Sequence, residues 1–163
     1  ITPLFLLGTF FGLAGHLVCD DLDGYIARTR KMSTKAGGFF DLITDILHIT
    51  YLLIGLAFAG LISFQIAIFL VPVYSLLMFT AMNYILHLKE FPFPRLGPIE
   101  THISLMVLCI GAMVFGNTTM ITVFNLGFNF GDIILLLGGI RMYFETIRLQ
   151  IQLFKRLKSL EQE

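Results

Sequence analysis

The sequence predicts an all-α, polytopic transmembrane helix bundle, and three observations carry that expectation. Hydrophobic residues fill 56% of the 163 positions and charged residues only 13%, against about 25% charged residues in a soluble domain. The apolar residues gather into five stretches, each near the ~20 residues that cross ~30 Å of hydrocarbon. Lysine and arginine return in alternate turns between those stretches. The length suits one domain, taken as residues 1–163.

The first span is predicted at about 2–19, and its Gly8, Gly12 and Gly15 form a small face suited to helix packing. The second covers about 38–60 and the third about 63–86, with Pro72 expected to kink it. Between them "AGLIS" at 59–63 is an uncharged turn. The segment "HLKEFPFPRLGP" at 87–98 holds three prolines, which break a helix. A fourth span follows at about 98–116, with Pro98 suited to a first helical turn. "GNTT" at 116–119, then Asn125, Asn129 and Gly131, predict an irregular stretch before a final helix over 131–153. The tail "LFKRLKSLEQE" reads as an amphipathic helix end at the membrane surface.

Arg28, Arg30, Lys31 and Lys35 follow the first span, Lys89 and Arg95 the third, and Lys155, Arg156 and Lys158 the last. The positive-inside rule puts these three sites in the cytoplasm. Five spans leave residue 1 on the outer side, so the expectation is a further helix upstream. The opening residues lack the basic region and cleavage pattern of a signal peptide. Net charge is zero, and no basic face stands without acidic neighbours, which argues against a nucleic-acid partner. Cys19 and Cys109 stand apart, with no CxxC, and read as packing residues.

The chemistry concentrates in "CDDLDGYIARTRKMSTKAGGFFDLITDIL", residues 19–47. Residues three or four apart share a helix face. Asp20 and Asp23 therefore share a face at the end of the first span, and Asp41 and Asp45 at the start of the second. The short connection makes these spans antiparallel neighbours, so the two acidic faces meet. An ionised Asp inside a span costs roughly 2.5–3.5 kcal/mol. Two like charges at ~4 Å add about 4 kcal/mol at an effective dielectric of 20. Cations offset such a cost, and carboxylate oxygens suit Mg²⁺, Mn²⁺ or Ca²⁺ over Zn²⁺. Four carboxylates can hold two ions, a clamp for phosphoryl displacement. Gly24 and Gly37 allow close approach, and Arg28 offsets phosphate charge. The bland alternative pairs the aspartates with Arg28, Arg30, Lys31 and Lys35 in a solvated loop; it suits Asp21 better than Asp41 and Asp45, which lead into apolar sequence.

At these residues the sequence resembles the CDP-alcohol phosphotransferases. Their signature D-x2-D-G-x2-A-R-x8-G-x3-D-x3-D reads here as Asp20, Asp23, Gly24, Ala27, Arg28, Gly37, Asp41 and Asp45, every spacer intact. The resemblance implies a six-helix membrane fold, one helix more than the five spans visible here. It implies an enzyme of phospholipid synthesis that joins a CDP-linked alcohol, such as CDP-diacylglycerol, to an acceptor alcohol and releases CMP. It further implies two Mg²⁺ or Mn²⁺ ions on Asp20, Asp23 and Asp41, with Asp45 completing the site and taking the acceptor's proton. Asp23, Gly24, Ala27 and Gly37 would meet the nucleotide and Arg28 the pyrophosphate. Such enzymes are typically homodimers.

The acceptor is less legible. Glu100 and His102 open the fourth span near the same depth and are candidates to line an acceptor pocket, with Arg141 as a further candidate. Against this, a Glu suits any helix start, and Arg141, Glu145 and Arg148 follow the spacing of an ion-pair ladder. Asn83 and Tyr84 are placed to face the site. His16 and His48, near the motif, read as polar packing residues. Asp132 lies toward the outer side, away from the cluster. A rival class is a divalent-cation carrier, which needs polar groups across the whole bilayer; beyond Asp45 the second span is apolar except for His48, Thr50 and Tyr51. A catalytically silent relative is disfavoured by the intact signature.

Overall fold

The computed structural model describes residues 3–161 apart from 33, 91–97, 124 and 125. Among the described residues the chain forms five α-helices: α1 (Pro3–Thr29), α2 (Lys35–Phe58), α3 (Phe64–Leu88), α4 (Pro98–Phe115) and α5 (Phe130–Leu160). A short antiparallel hairpin, β1 (Ile121–Val123) and β2 (Leu126–Phe128), precedes α5 and pairs Ile121 with Phe128. It occupies the stretch expected to be irregular.

The helices over Leu4–Ala27, Ala36–Phe58 and Phe64–Leu88 are long and apolar enough to cross a membrane. The other two predicted spans differ from these. Helix α4 has 18 residues, which reach about 27 Å at 1.5 Å each. Helix α5 has 31 residues and carries charge along much of its length. Its last turns run straight on through the expected surface tail. There Arg156 pairs with Glu90 beyond the end of α3.

Two helix starts and ends depart from the hydropathy reading for a physical reason. Charge ends an apolar run but not a helix, so α1 continues through Asp20–Thr29. It closes where Lys31 takes a left-handed conformation (φ 56°) and Met32 N–H donates to the Ala27 carbonyl at 2.8 Å, a Schellman closure. Helix α2 starts three residues early because Thr34 caps it, its hydroxyl accepting the Gly37 N–H at 3.0 Å. Pro72 lies within an unbroken α3.

Helix α3 is the packing centre. It lies against α2 and α5, while α4 lies against α1 and α5. Leu77, Ile49, Leu105 and Leu108 fill the middle, all but fully buried. Two glycines let α5 come close. A Cβ on Gly139 would sit 2.3 Å from Leu70 Cδ2, and one on Gly131 would sit 2.4 Å from the Leu61 carbonyl oxygen. Gly8, Gly12 and Gly15 behave otherwise: a Cβ there meets nothing within 4 Å. The small face of α1 is therefore not the groove through which α1 packs on α4. Cys109 is buried and Cys19 exposed, both as free thiols.

The bundle has two unlike ends. At one, the Asp132 carboxylate caps α5 by accepting Asn129 N–H at 3.1 Å and also accepts Ser63 N–H at 2.6 Å. At the other, Tyr84 hydroxyl donates to the Leu149 carbonyl at 3.0 Å, and Glu90 meets Arg156. Helices α3 and α5 thus run parallel. The basic residues 30–31, 89 and 155–158 lie at the ends of the helices that reach this second end, as does the acidic motif.

Candidate metal centre

Helix α1 stays intact through the motif, so Asp20, Asp23, Gly24 and Ala27 keep helical spacing on one rigid element. Five residues, 30–34, then return the chain to α2, whose second and third turns carry Asp41 and Asp45. Carboxylate oxygens of Asp20, Asp41 and Asp45 come together, all within 4.8 Å of one another. Asp20 and Asp45 are half-buried and Asp41 is exposed, so the group opens at the end of the bundle. The two helices that supply it do not pack by backbone: among the described residues α1 lies against α4 and α2 against α3. The two acidic faces meet as expected of antiparallel neighbours, but through side chains rather than close backbone packing.

The donor set fits a hard divalent cation. Three carboxylates from two helices can each give an oxygen to one Mg²⁺ or Mn²⁺. Without a cation, three negative charges at this spacing repel, and neither helix gains packing in return. Asp23 is exposed and outside the group of three.

The remaining signature residues flank this group. Gly24 and Ala27 lie on α1, half-buried. Arg28 lies on the same helix, with its side chain outside the described residues. Gly37 has a local reason to be glycine: a Cβ would stand 3.0 Å from Thr34 Oγ1, the atom that caps α2. Asp21 is exposed and takes no part in the group.

The three acceptor candidates part company. Glu100 helps line a largely apolar cavity with Tyr74, Ser104, Leu135, Gly138 and Met142. His102, two residues on, is 5% exposed and turns instead toward α1 and α2. Arg141 is exposed on α5 and is not among the residues lining that cavity. In the expected ladder, Arg148 pairs with Glu145 at 2.5 Å. Tyr84 is committed to α5, and Asn83 donates to the Phe79 carbonyl of its own helix at 2.8 Å.

Two features escaped the sequence reading. Tyr74 is 2% exposed and its hydroxyl makes no hydrogen bond. One buried tyrosine in an apolar run leaves no signal. The second is a histidine group. His16, His48 and His102 stand one turn below the carboxylates, with ring centroids 4.0 Å (His16–His48), 5.3 Å (His16–His102) and 5.9 Å (His48–His102) apart. Here a signal existed: His16 precedes Asp20 by four residues and His48 follows Asp45 by three, so each lies under an aspartate on its face.

A membrane-embedded helical bundle with a carboxylate cluster at one end is the class this fold and site define. The family model described as CDP-alcohol phosphatidyltransferase matches residues 5–139, and the chain belongs to that family. It is a family of transferases, acting on CDP-alcohols. No curated protein and no solved structure matches the chain.

Proposed function

We propose that the chain is an integral membrane CDP-alcohol phosphotransferase of phospholipid synthesis. It moves a phosphatidyl or phospho-alcohol group from a CDP-alcohol, such as CDP-diacylglycerol, to an acceptor alcohol and releases CMP. The observation that carries this reading is the convergence of Asp20, Asp41 and Asp45 from two helices to within 4.8 Å. Basic residues at the same end support a cytoplasmic opening. The family resemblance supports a homodimer and a single transferase domain.

Asp20, Asp41 and Asp45 would hold a first Mg²⁺ or Mn²⁺, and Asp23 would join them for a second. Bound there, the ions supply electrostatic stabilisation of charge on the pyrophosphate and on the departing CMP. The protein does the rest. Gly24, Ala27 and Gly37 leave room for the cytidine nucleotide, and Arg28 steadies the pyrophosphate. Asp45, half-buried one turn below the exposed Asp41, receives the proton of the acceptor hydroxyl. The acceptor oxygen bonds to the phosphorus that carries the donor alcohol. The bond from that phosphorus to the bridging oxygen breaks, and CMP leaves with that oxygen. Holding both alcohols in line supplies orientation. Of the acceptor candidates, Glu100 is favoured by its place on the cavity, which neither His102 nor Arg141 lines.

The cation-carrier reading fares worse. Below the histidines the core continues with Ile49, Leu53, Leu105, Leu108 and Leu135. Asp132, at the other end, is engaged by Ser63 and Asn129. The test is CMP release in detergent from CDP-diacylglycerol with Mg²⁺ or Mn²⁺ and a panel of acceptors: inositol phosphate, glycerol phosphate, serine and, with CDP-choline as donor, diacylglycerol. Metal-dependent CMP release with one acceptor is expected. Divalent-ion flux into liposomes without CMP release would favour the carrier.

A further inference from the structure

We propose that His16, His48 and His102 form a second metal site, distinct in chemistry from the carboxylates, for a borderline ion of the Zn²⁺ class. The chain has four histidines, and three of them meet here from α1, α2 and α4. One ring nitrogen from each lies within 4.8 Å of the others. A tetrahedral ion with bonds of about 2.0–2.1 Å needs nitrogens about 3.3 Å apart, so the stacked His16 and His102 rings must turn to share one. Three imidazoles suit Zn²⁺, Co²⁺, Ni²⁺ or Cu²⁺ and do not suit Mg²⁺.

Independent support comes from His16. Its Nδ1 is buried and makes no hydrogen bond, although buried polar atoms are almost always satisfied. A metal ion satisfies such a lone pair. The rings of His16 and His102 stack with planes 13° apart, and His48 lies tilted against both. Three protonated imidazoles at this spacing would repel.

The site has a physical task. Helices α1 and α2 carry the carboxylates yet do not pack on each other by backbone among the described residues. An ion on His16, His48 and His102 ties α1 to α2 and to α4 one turn below Asp20 and Asp45. It fixes the distance between the carboxylates without entering the reaction. Three protein ligands also leave a fourth position open.

The test uses the full chain, purified in detergent and stripped with chelator. Co²⁺ is titrated in excess Mg²⁺, reading the visible absorption of tetrahedral Co²⁺. One equivalent is expected, displaced by Zn²⁺ and not by Mg²⁺. His16→Gln and His102→Gln are each expected to weaken binding at least tenfold, whereas Asp41→Asn keeps it. Binding that survives the His16→Gln/His102→Gln double variant, or that vanishes in Asp41→Asn and under Mg²⁺, overturns the site. Cu²⁺ EPR of the unmodified protein answers the same question without a variant. Coupling to several imidazole nitrogens is expected, and oxygen-only coordination overturns the proposal. Either failure leaves Mg²⁺-dependent CMP release untouched, so the two readings fall separately.

Discussion

Asp132 accepts the backbone N–H of Ser63 at 2.6 Å, which ties the first turn of α5 to the turn between α2 and α3. The same carboxylate closes a capping box with Asn129. Asp132→Ala removes both bonds and leaves two half-buried N–H groups without their acceptor. Hydrogen bonds to a charged group contribute about 1.5–3 kcal/mol and a cap about 1 kcal/mol. A clear fall in thermal midpoint in detergent is expected. CMP release per folded molecule is expected to hold, since the carboxylate cluster lies at the opposite end. An unchanged midpoint would contradict this role.

Gly138 and Gly139 are adjacent and respond oppositely. A Cβ on Gly139 would meet Leu70 and Phe69, the nearest atom 2.3 Å away. Overpacking of this kind costs about 1–3 kcal/mol, so Gly139→Ala destabilises. A Cβ on Gly138 meets nothing within 4 Å. Alanine is favoured over glycine inside a helix by about 0.5–1 kcal/mol, so Gly138→Ala stabilises. Paired thermal melts decide it. The same sign for both would show that α5 does not sit against α3 as described.

Tyr74 gives a prediction about specificity. Its hydroxyl is buried without a hydrogen bond and lies on the cavity with Glu100. Tyr74→Phe removes a polar group that lacks a partner, so stability is expected to hold or to rise by up to about 1 kcal/mol. If the hydroxyl meets the acceptor, KM for the acceptor rises several-fold while kcat changes little. Melting and steady-state kinetics on the same preparation separate the two effects. Lower stability with unchanged KM would assign Tyr74 to packing alone.

The aspartates divide sharply. Asp45→Asn removes the proton acceptor, and losing such a group costs about 10²–10⁴ in rate. Asp41→Asn is expected to lose turnover with every acceptor. Asp21→Asn, exposed and outside the cluster, is expected to keep near-full rate. CMP release measured across the three variants checks this. Full activity of Asp41→Asn or Asp45→Asn would remove their assigned roles.

Much of this site was legible in the sequence because its signal is local. Asp20 and Asp23 share a face by a spacing of three, and Asp41 and Asp45 by a spacing of four, and an uncompensated acidic group in apolar sequence has few uses; that Asp23 stands outside the group of three was not legible. Helix ends were less legible. Hydropathy marks where a chain leaves hydrocarbon, while α1 ends at a left-handed Lys31 and α2 begins at a Thr34 cap. Neither stands out in composition. The partnership of His102 with His16 and His48 depends on where α4 crosses α1, a tertiary fact with no spacing rule. The close packing of Gly139, against the open surroundings of Gly8 and Gly12, is tertiary in the same way.

Mn²⁺ binding tests the central relationship most directly. The EPR signal of free Mn²⁺ is followed as the full chain is added, with and without CDP-diacylglycerol, in the unmodified protein and in Asp20→Asn and Asp41→Asn. Binding that tightens with the nucleotide lipid and weakens at least tenfold in each variant is the expected result. Equal Mn²⁺ affinity in all three proteins would mean that the carboxylates of α1 and α2 do not hold the ion.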